Sequence, residues 1–253
     1  DHEIVSKVEN LSGKMIDNRR NSFPGEVVSD FLQENKNYFP KLEEFATSIY
    51  EKVKMNNRTR YLTLCNYLKE KHKIIVKDVL PEENKPFSKI FFPDKKEFHL
   101  SDLLSFETKK LFAAALVAQL EAEDIIEEYL DDFSFPSETS RKVTKVALLN
   151  YTGAAIIMPY EIFFYECVKK HRYDLELLQS TFAVSFEQVC HRVTSLNNPD
   201  PKLRGIPLHL IRVDRSGNVS KRFSLSGIEL PRLSGACPKW NVYSSFSNPG
   251  KIS

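Results

Sequence analysis

Glycine is scarce in this chain: eight residues among 253, against eighteen Phe and ten Tyr. A glycine-rich loop that wraps nucleotide phosphates is therefore not its chemistry. Cysteine is equally thin. Cys65, Cys167, Cys190 and Cys237 stand far apart with no C-x-x-C pair, which argues against a preformed zinc knuckle. No apolar run reaches the roughly 18 residues that cross a bilayer, and the chain does not open on a basic and apolar leader. A reducing, cytoplasmic protein without a membrane partner is expected. Charge of one sign is also missing: the net formal charge is +2, so no global excess announces nucleic acid or membrane. The balance is local, however. Residues 201–253 carry nine basic and two acidic side chains, a charge of +7, and the rest of the chain is left with about −5. The chain starts without Met and stops on Asn-Pro-Gly-Lys-Ile-Ser, so a piece of a longer protein is expected.

What is present is mostly helical patterning. Val5, Val8, Leu11 and Met15 form one stripe at spacings of three and four. Phe23-Pro-Gly breaks it, and the pattern resumes at Val27, Phe31 and Leu32. It continues after Pro40 through Leu42, Phe45, Ile49 and Val53, then through Leu62, Cys65 and Leu68. The period changes at 73–100. Lys73 to Val79 reads as a strand. Lys89 to Phe92 and Glu97 to Leu100 read as a hairpin turning at Pro93 and Asp94. Ser101 or Ser105 caps a long helix bearing Phe112, Leu116 and Leu120, with Ala113 and Val117 beside them. An acidic stretch, Glu121 to Asp132, reads as a solvated face; the oxygen-ligand spacing of a calcium loop is absent. A second long helix from Ser137 to Ser140 places Val143, Ala147, Asn150, Ala154 and Met158 on one face, and Pro159 ends it. Asp174 starts a short helix, and Ser185 with Gln188 forms a capping box for the next. After the Asn197-Asn-Pro-Asp-Pro linker, Ile206 to Val213 and Val219 to Leu225 read as two strands around an Asp214-Arg-Ser-Gly-Asn turn.

Strand, hairpin and long helix is the order that carries H-E-x-x-H in zinc peptidases, where two His one turn apart meet the metal. The helix here has no His, and none of His2, His72, His99, His171, His191 and His209 pairs at i, i+4. Residues 175–196 also read as a helix-turn-helix, but Phe186, Val189, Cys190 and Val193 make the second helix too apolar for a major groove. Cys190, followed by His191 and Arg192, is either a thiolate favoured by nearby cations or a small core residue. Arg212, Arg215, Lys221 and Arg222 form the densest cationic cluster. They either hold phosphates or make an exposed basic hairpin.

Several long strings resemble one bacterial family. They are Asn150-Tyr-Thr-Gly-Ala-Ala-Ile-Ile-Met-Pro-Tyr160, Tyr173-Asp-Leu-Glu-Leu-Leu, Phe182-Ala-Val-Ser-Phe-Glu-Gln-Val-Cys-His-Arg192, Arg212 to Arg222, and Gly235-Ala-Cys-Pro-Lys-Trp-Asn-Val-Tyr243. With weaker similarity over Phe31 to Tyr38, the likeness covers most of the chain. It is to the short-chain fatty acyl transcriptional regulators. These join an N-terminal helix-turn-helix domain, a domain resembling ImmA/IrrE zinc peptidases, and a C-terminal portion of their own. The resemblance implies an acyl-CoA effector and a DNA-binding domain that precedes residue 1. It also places the lost peptidase motif on Ala115, Leu116 and Gln119, with the third ligand position on Leu148. Every metal ligand is then replaced.

The fold expected is α+β, mainly helical with a small sheet: a degenerate zincin-like core plus a C-terminal β-hairpin region. The expected division is a helical linker or dimerisation segment over 1–70, an ImmA/IrrE-like domain without metal ligands over 71–196, and a family-specific β-rich portion over 197–253. The expected function is acyl-CoA sensing in a homodimeric regulator, without enzymatic activity and without a required cofactor or metal. The residues expected at the ligand are Arg192, Lys221 and Arg222 for phosphates and Tyr151, Tyr160 or Trp240 for stacking, with Gly153, Ala154 and Ala155 leaving room for an acyl tail. If Arg192 instead pairs with a buried acid, it holds the fold. Some relatives carry an iron–sulfur cluster, but Cys190 and Cys237 alone do not hold a cubane. The alternatives are a metallopeptidase, an acyl-CoA hydrolase and a redox sensor using Cys190 or Cys237.

Overall fold

The computed structural model describes residues 24–55, 59–83, 85–224 and 242–247. The stripe at Val5 to Met15 lies outside the described residues, as do Cys237 and Trp240. The contacts divide the chain into two compact units that interleave along the sequence. Mainly helical secondary structure with two small sheets matches the α+β expectation.

The described residues of the first unit are 24–38, 133–144, 206–224 and 242–247. Its described helix α1 (Pro24–Glu34) buries Val27 and Phe31. Phe31 meets Phe133 edge-on at 5.3 Å between centroids and Phe135 at 6.1 Å, so three rings anchor this core. Its two-stranded sheet is a hairpin of β4 (His209–Val213) and β5 (Val219–Ser224), with Phe223 buried on it. The turn needs Gly217, whose φ is +86° and whose missing Cβ would lie 3.1 Å from the Tyr243 hydroxyl. The Asp214 carboxylate closes the turn by accepting from the backbone N–H of Ser216 and Asn218.

The second unit contains residues 39–132 and 145–205. It opens with α2 (Pro40–Lys52) and α3 (Arg60–His72). A three-stranded sheet follows in the order β1, β3, β2, made of β1 (Ile75–Val79), β2 (Lys89–Phe92) and β3 (Glu97–Ser101). β1 runs parallel to β3, and β2 pairs antiparallel to it as the expected hairpin. Ser105 caps α4 (Phe106–Glu121) by accepting from the Thr108 N–H. Ser101, the other candidate, sits at the end of β3 and accepts from the Leu103 N–H. Then come α5 (Glu123–Asp131), α6 (Glu138–Ile157), of which residues 138–144 count with the first unit and 145–157 with the second, α7 (Tyr160–Phe164) with a π-helical extension over Tyr165–Lys170, α8 (Leu175–Phe182) and α9 (Phe186–Val193). A last helix, α10 (Val242–Ser247), belongs to the first unit. Among the described residues, no single helix is long and apolar enough to cross a membrane.

Two sequence expectations need correction. On α3 the buried face is Arg60, Leu64 and Leu68, while Leu62 is 60% exposed. On α6 the buried row is Ser140, Thr144, Leu148, Thr152 and Ala155, and Val143 and Val146 face outward. The hydroxyls of Thr144 and Thr152 donate back to the carbonyls of Ser140 and Leu148, so the polar row enters the core already satisfied. Apolar spacing alone does not reveal that. The acidic stretch lies at the surface as expected. It breaks at Ala122, and its carboxylates are used: Glu121 binds Lys71 and His72, Glu123 and Glu127 bind Lys145, and Glu128 binds Lys41.

Candidate functional site

Three of the six sequence-selected residues meet inside the second unit. α9 starts with the expected capping box, in which Ser185 accepts from the Gln188 N–H and Gln188 accepts from the Ser185 N–H. That start fixes the rotation of a two-turn helix, so Val189, Arg192 and Val193 all point inward. An arginine on a buried face must find acceptors. Arg192 Nη1 and Nη2 donate to Glu43 Oε1 and Oε2 at 2.6 and 2.8 Å, a two-pronged pair. Nη1 also donates to Ser195 Oγ at 3.0 Å, and Nε donates to the Met158 carbonyl at 3.0 Å. The side chains are 1% and 4% exposed.

The aromatic walls come from two helices. Tyr151 on α6, Tyr160 and Phe163 on α7 place their ring centroids 5.8–5.9 Å from the guanidinium carbon. The Tyr151 hydroxyl donates to Glu43 Oε1 at 2.5 Å and accepts from the Phe39 N–H. Phe39 itself packs edge-on against Tyr151 and Tyr129. The Tyr160 hydroxyl donates to the Leu203 carbonyl and accepts from the Asn198 N–H, tying α7 to the loop after α9. Burial alone would push the Arg192 pKa down, but the Glu43 carboxylate outweighs it and holds it above the ordinary value. Burial, reinforced by the Glu43 charge, pushes the Tyr151 phenol well up, so it stays a donor.

Arg192 thus takes the arrangement of a charge paired with a buried acid, the alternative that the sequence left open. Glu43 was not among the sequence candidates. Its signal was there: it stands on the inner side of α2 with Leu42, Ala46 and Ile49, where an unpaired carboxylate would be costly. Lys221 and Arg222 lie on β5, in the first unit, with Lys221 opposite Arg212 and Arg222 opposite Ile211. Trp240 is outside the described residues.

Gly153 does not leave space for a ligand. A Cβ there would lie 2.9 Å from the backbone nitrogen of Ala115, so it serves the close crossing of α4 and α6. That crossing passes through the position where the resemblance puts the first lost zinc ligand. Ala115 and Leu148 are buried, and Gln119 is exposed. Among the described residues no group of three His, Cys, Asp or Glu could hold a metal ion. Burial and the nearby Glu187 charge push the Cys190 thiol up, opposite to what a reactive thiolate needs. The Arg192 cation invoked for lowering it is turned to Glu43.

Two further buried cations clamp the end of α8. Arg60 Nη1 donates to the Phe182 carbonyl at 2.8 Å, and Lys110 Nζ donates to the Ala183 carbonyl at 2.5 Å. Ala183 is left-handed, with φ of 50°, and the exposed carbonyl ends of α8 attract cations. Burial, then the adjacent Arg60, pushes Lys110 down to about 8.

Comparison with known proteins gives two family matches. Residues 79–194 match the IrrE N-terminal-like domain, and residues 198–253 match the short-chain fatty acyl coenzyme A regulator, C-terminal. The HTH-type transcriptional regulator RamB of Mycobacterium tuberculosis is 33% identical over 231 residues, 91% of this chain and 48% of that protein. The HTH-type transcriptional regulator PrpR of Mycobacterium tuberculosis is 30% identical over 231 residues, 90% and 46% respectively. A propionyl-CoA carboxylase regulator of Cereibacter sphaeroides is 38% identical over 136 residues, 54% of this chain and 29% of that one. A solved structure titled Mycobacterium tuberculosis transcriptional regulator superposes with a TM-score of 0.82 at 30% identity, covering 91% of this chain and 69% of that one. The chain spans about half the length of the RamB and PrpR proteins it matches.

Proposed function

The chain belongs to the short-chain fatty acyl-CoA regulator family, and from that premise we propose that it is the ligand-sensing part of a bacterial transcriptional regulator whose effector is a short-chain acyl-CoA. One observation carries the reading: residues 198–253 match the family's own C-terminal portion, and they carry a net charge of +6, nine basic against three acidic side chains, with the basic hairpin among them. CoA brings phosphates, an adenine and an acyl tail. Arg212, Lys221 and Arg222 on β4 and β5 supply the charge that phosphates require. In the whole regulator, DNA contact falls to a helix-turn-helix domain of the kind that the RamB and PrpR names state, and the molecule acts as a two-fold dimer, as half-site operators favour. The IrrE-like domain serves as a scaffold and not as a peptidase, since Ala115, Gln119 and Leu148 cannot ligate zinc.

Calorimetric titration with propionyl-CoA, acetyl-CoA and free CoA, alongside light scattering, tests this. Saturable binding of an acyl-CoA is expected. Replacing Lys221 and Arg222 by Ala should cost ~1.5–3 kcal/mol per lost phosphate contact, roughly ten- to a hundredfold in affinity. Unchanged affinity in the double variant removes the hairpin from the site, and no binding of any acyl-CoA overturns the function. A strict monomer at all concentrations overturns the dimer.

A further inference from the structure

A carboxylate buried at the side of an aromatic box, held by three donors, describes a receptor with its ligand in place. Glu43 is that ligand. Its oxygens accept from Arg192 Nη1, Arg192 Nη2 and the Tyr151 hydroxyl, while Tyr151, Tyr160 and Phe163 wall the guanidinium. The donors belong to α6 and α9, whereas the carboxylate arrives on α2, so receptor and occupant sit on separate elements. We infer that Arg192 and Tyr151 form an oxyanion receptor that Glu43 fills as a built-in occupant, and that a carboxylate or phosphate group from an effector displaces it.

The energetics favour exchange over vacancy. An Arg buried without a partner is strongly destabilising, while a buried pair contributes little net stability because desolvation offsets attraction. Replacing one oxyanion by another therefore conserves the fork geometry and the charge, and only the vacant state is high in energy. Arg192 is suited to this because its planar fork receives carboxylate and phosphate alike. Met158 and Ser195 continue to hold Nε and Nη1 during an exchange, so the guanidinium keeps its aim. Release of Glu43 removes the ion pair that fixes α2 beside α9. Elsewhere α2 is held by its buried Leu42, Ala46 and Ile49, by Phe39 at its start against Tyr129 and Tyr151, and by Lys41 with Glu128 near the surface. Loosening of α2 is the signal that the exchange would produce.

This receptor lies in the second unit and does not depend on the basic hairpin or on acyl-CoA being the effector. Two measurements on the 253-residue chain test it. The first is chemical rescue of Glu43→Ala, with Glu43→Gln as the companion that keeps the side-chain volume should the alanine variant not fold. Acetate, propionate or inorganic phosphate, at matched ionic strength against chloride, should raise the melting temperature of the variant and leave that of the wild type nearly unchanged. The second is hydrogen exchange of the α2 amides in wild-type protein with propionate, inorganic phosphate, free CoA and propionyl-CoA. At least one should speed exchange at Glu43 to Ile49 by roughly tenfold. Response to propionate alone identifies a carboxylate as the occupant, and response to CoA or phosphate identifies a phosphate. Either response supports the receptor. No oxyanion-specific rescue in either variant, or no wild-type α2 response to any of the four, overturns it. If propionyl-CoA binds and α2 stays protected, the acyl-CoA function stands and the displacement falls. If rescue and a propionate response occur with no acyl-CoA binding, the displacement stands and the acyl-CoA function falls.

Discussion

The buried charges divide into two kinds at the residue scale. Arg192 is neutralised by a carboxylate, whereas Lys110 faces carbonyls and a second cation. The difference fixes opposite electrostatics: one cation is held above its ordinary pKa and the other is pushed down to about 8. Lys110 therefore binds its proton less tightly in the folded state than in the unfolded chain, where its value is 10.5. At neutral pH this opposes folding. As pH rises from about 8 to about 10.5, the unfolded state still holds a proton that the folded state has released, so stability increases across that window. Denaturant melts across that window should show the wild type gaining on Lys110→Met as pH rises. A constant difference between the two would mean that the lysine titrates normally.

Capping positions a side chain at the scale of an element. α9 is only two turns long and would not form alone. Its start is held by both bonds of the Ser185–Gln188 box, and the Gln188 amide also donates to the Glu107 carbonyl. The same rotation aims Arg192 at Glu43. Ser185→Ala should cost about 1 kcal/mol of stability. The loss should be accompanied by faster exchange of the α9 amides, while α4 remains protected. A uniform loss over both helices would place the effect in global unfolding instead.

Over the whole molecule, the IrrE-like domain is closely packed where the resemblance puts the lost zinc ligands. At the point where zinc chemistry would begin, Ala115 lies against Gly153 and Leu148 is fully buried. A structural metal would make folding depend on its retention. The expectation is that EDTA leaves the melting curve of the purified chain unchanged and that metal analysis finds no stoichiometric zinc. A chelator-induced fall in melting temperature would refute it.

The sequence determined the elements whose signals are local. Proline after Met158, serine and aspartate at helix starts, the Pro93 and Gly217 turns and the β-branched runs each act within a few residues, and each lies where it was expected. The family was legible for the same reason, since its strings are contiguous. The tertiary structure alone decided which helix faces are buried and what the charged residues meet. Thr144 and Thr152 pass as surface residues until their hydroxyls are seen bonded back along α6. Glu43 and Arg192 are 149 positions apart, so no spacing rule could join them. Nor does any pattern in the chain show that residues 24–38, 133–144 and 206–224 share one compact unit. A buried ion pair is selected by the absence of water around both partners at once, and that absence is a property of the packed molecule.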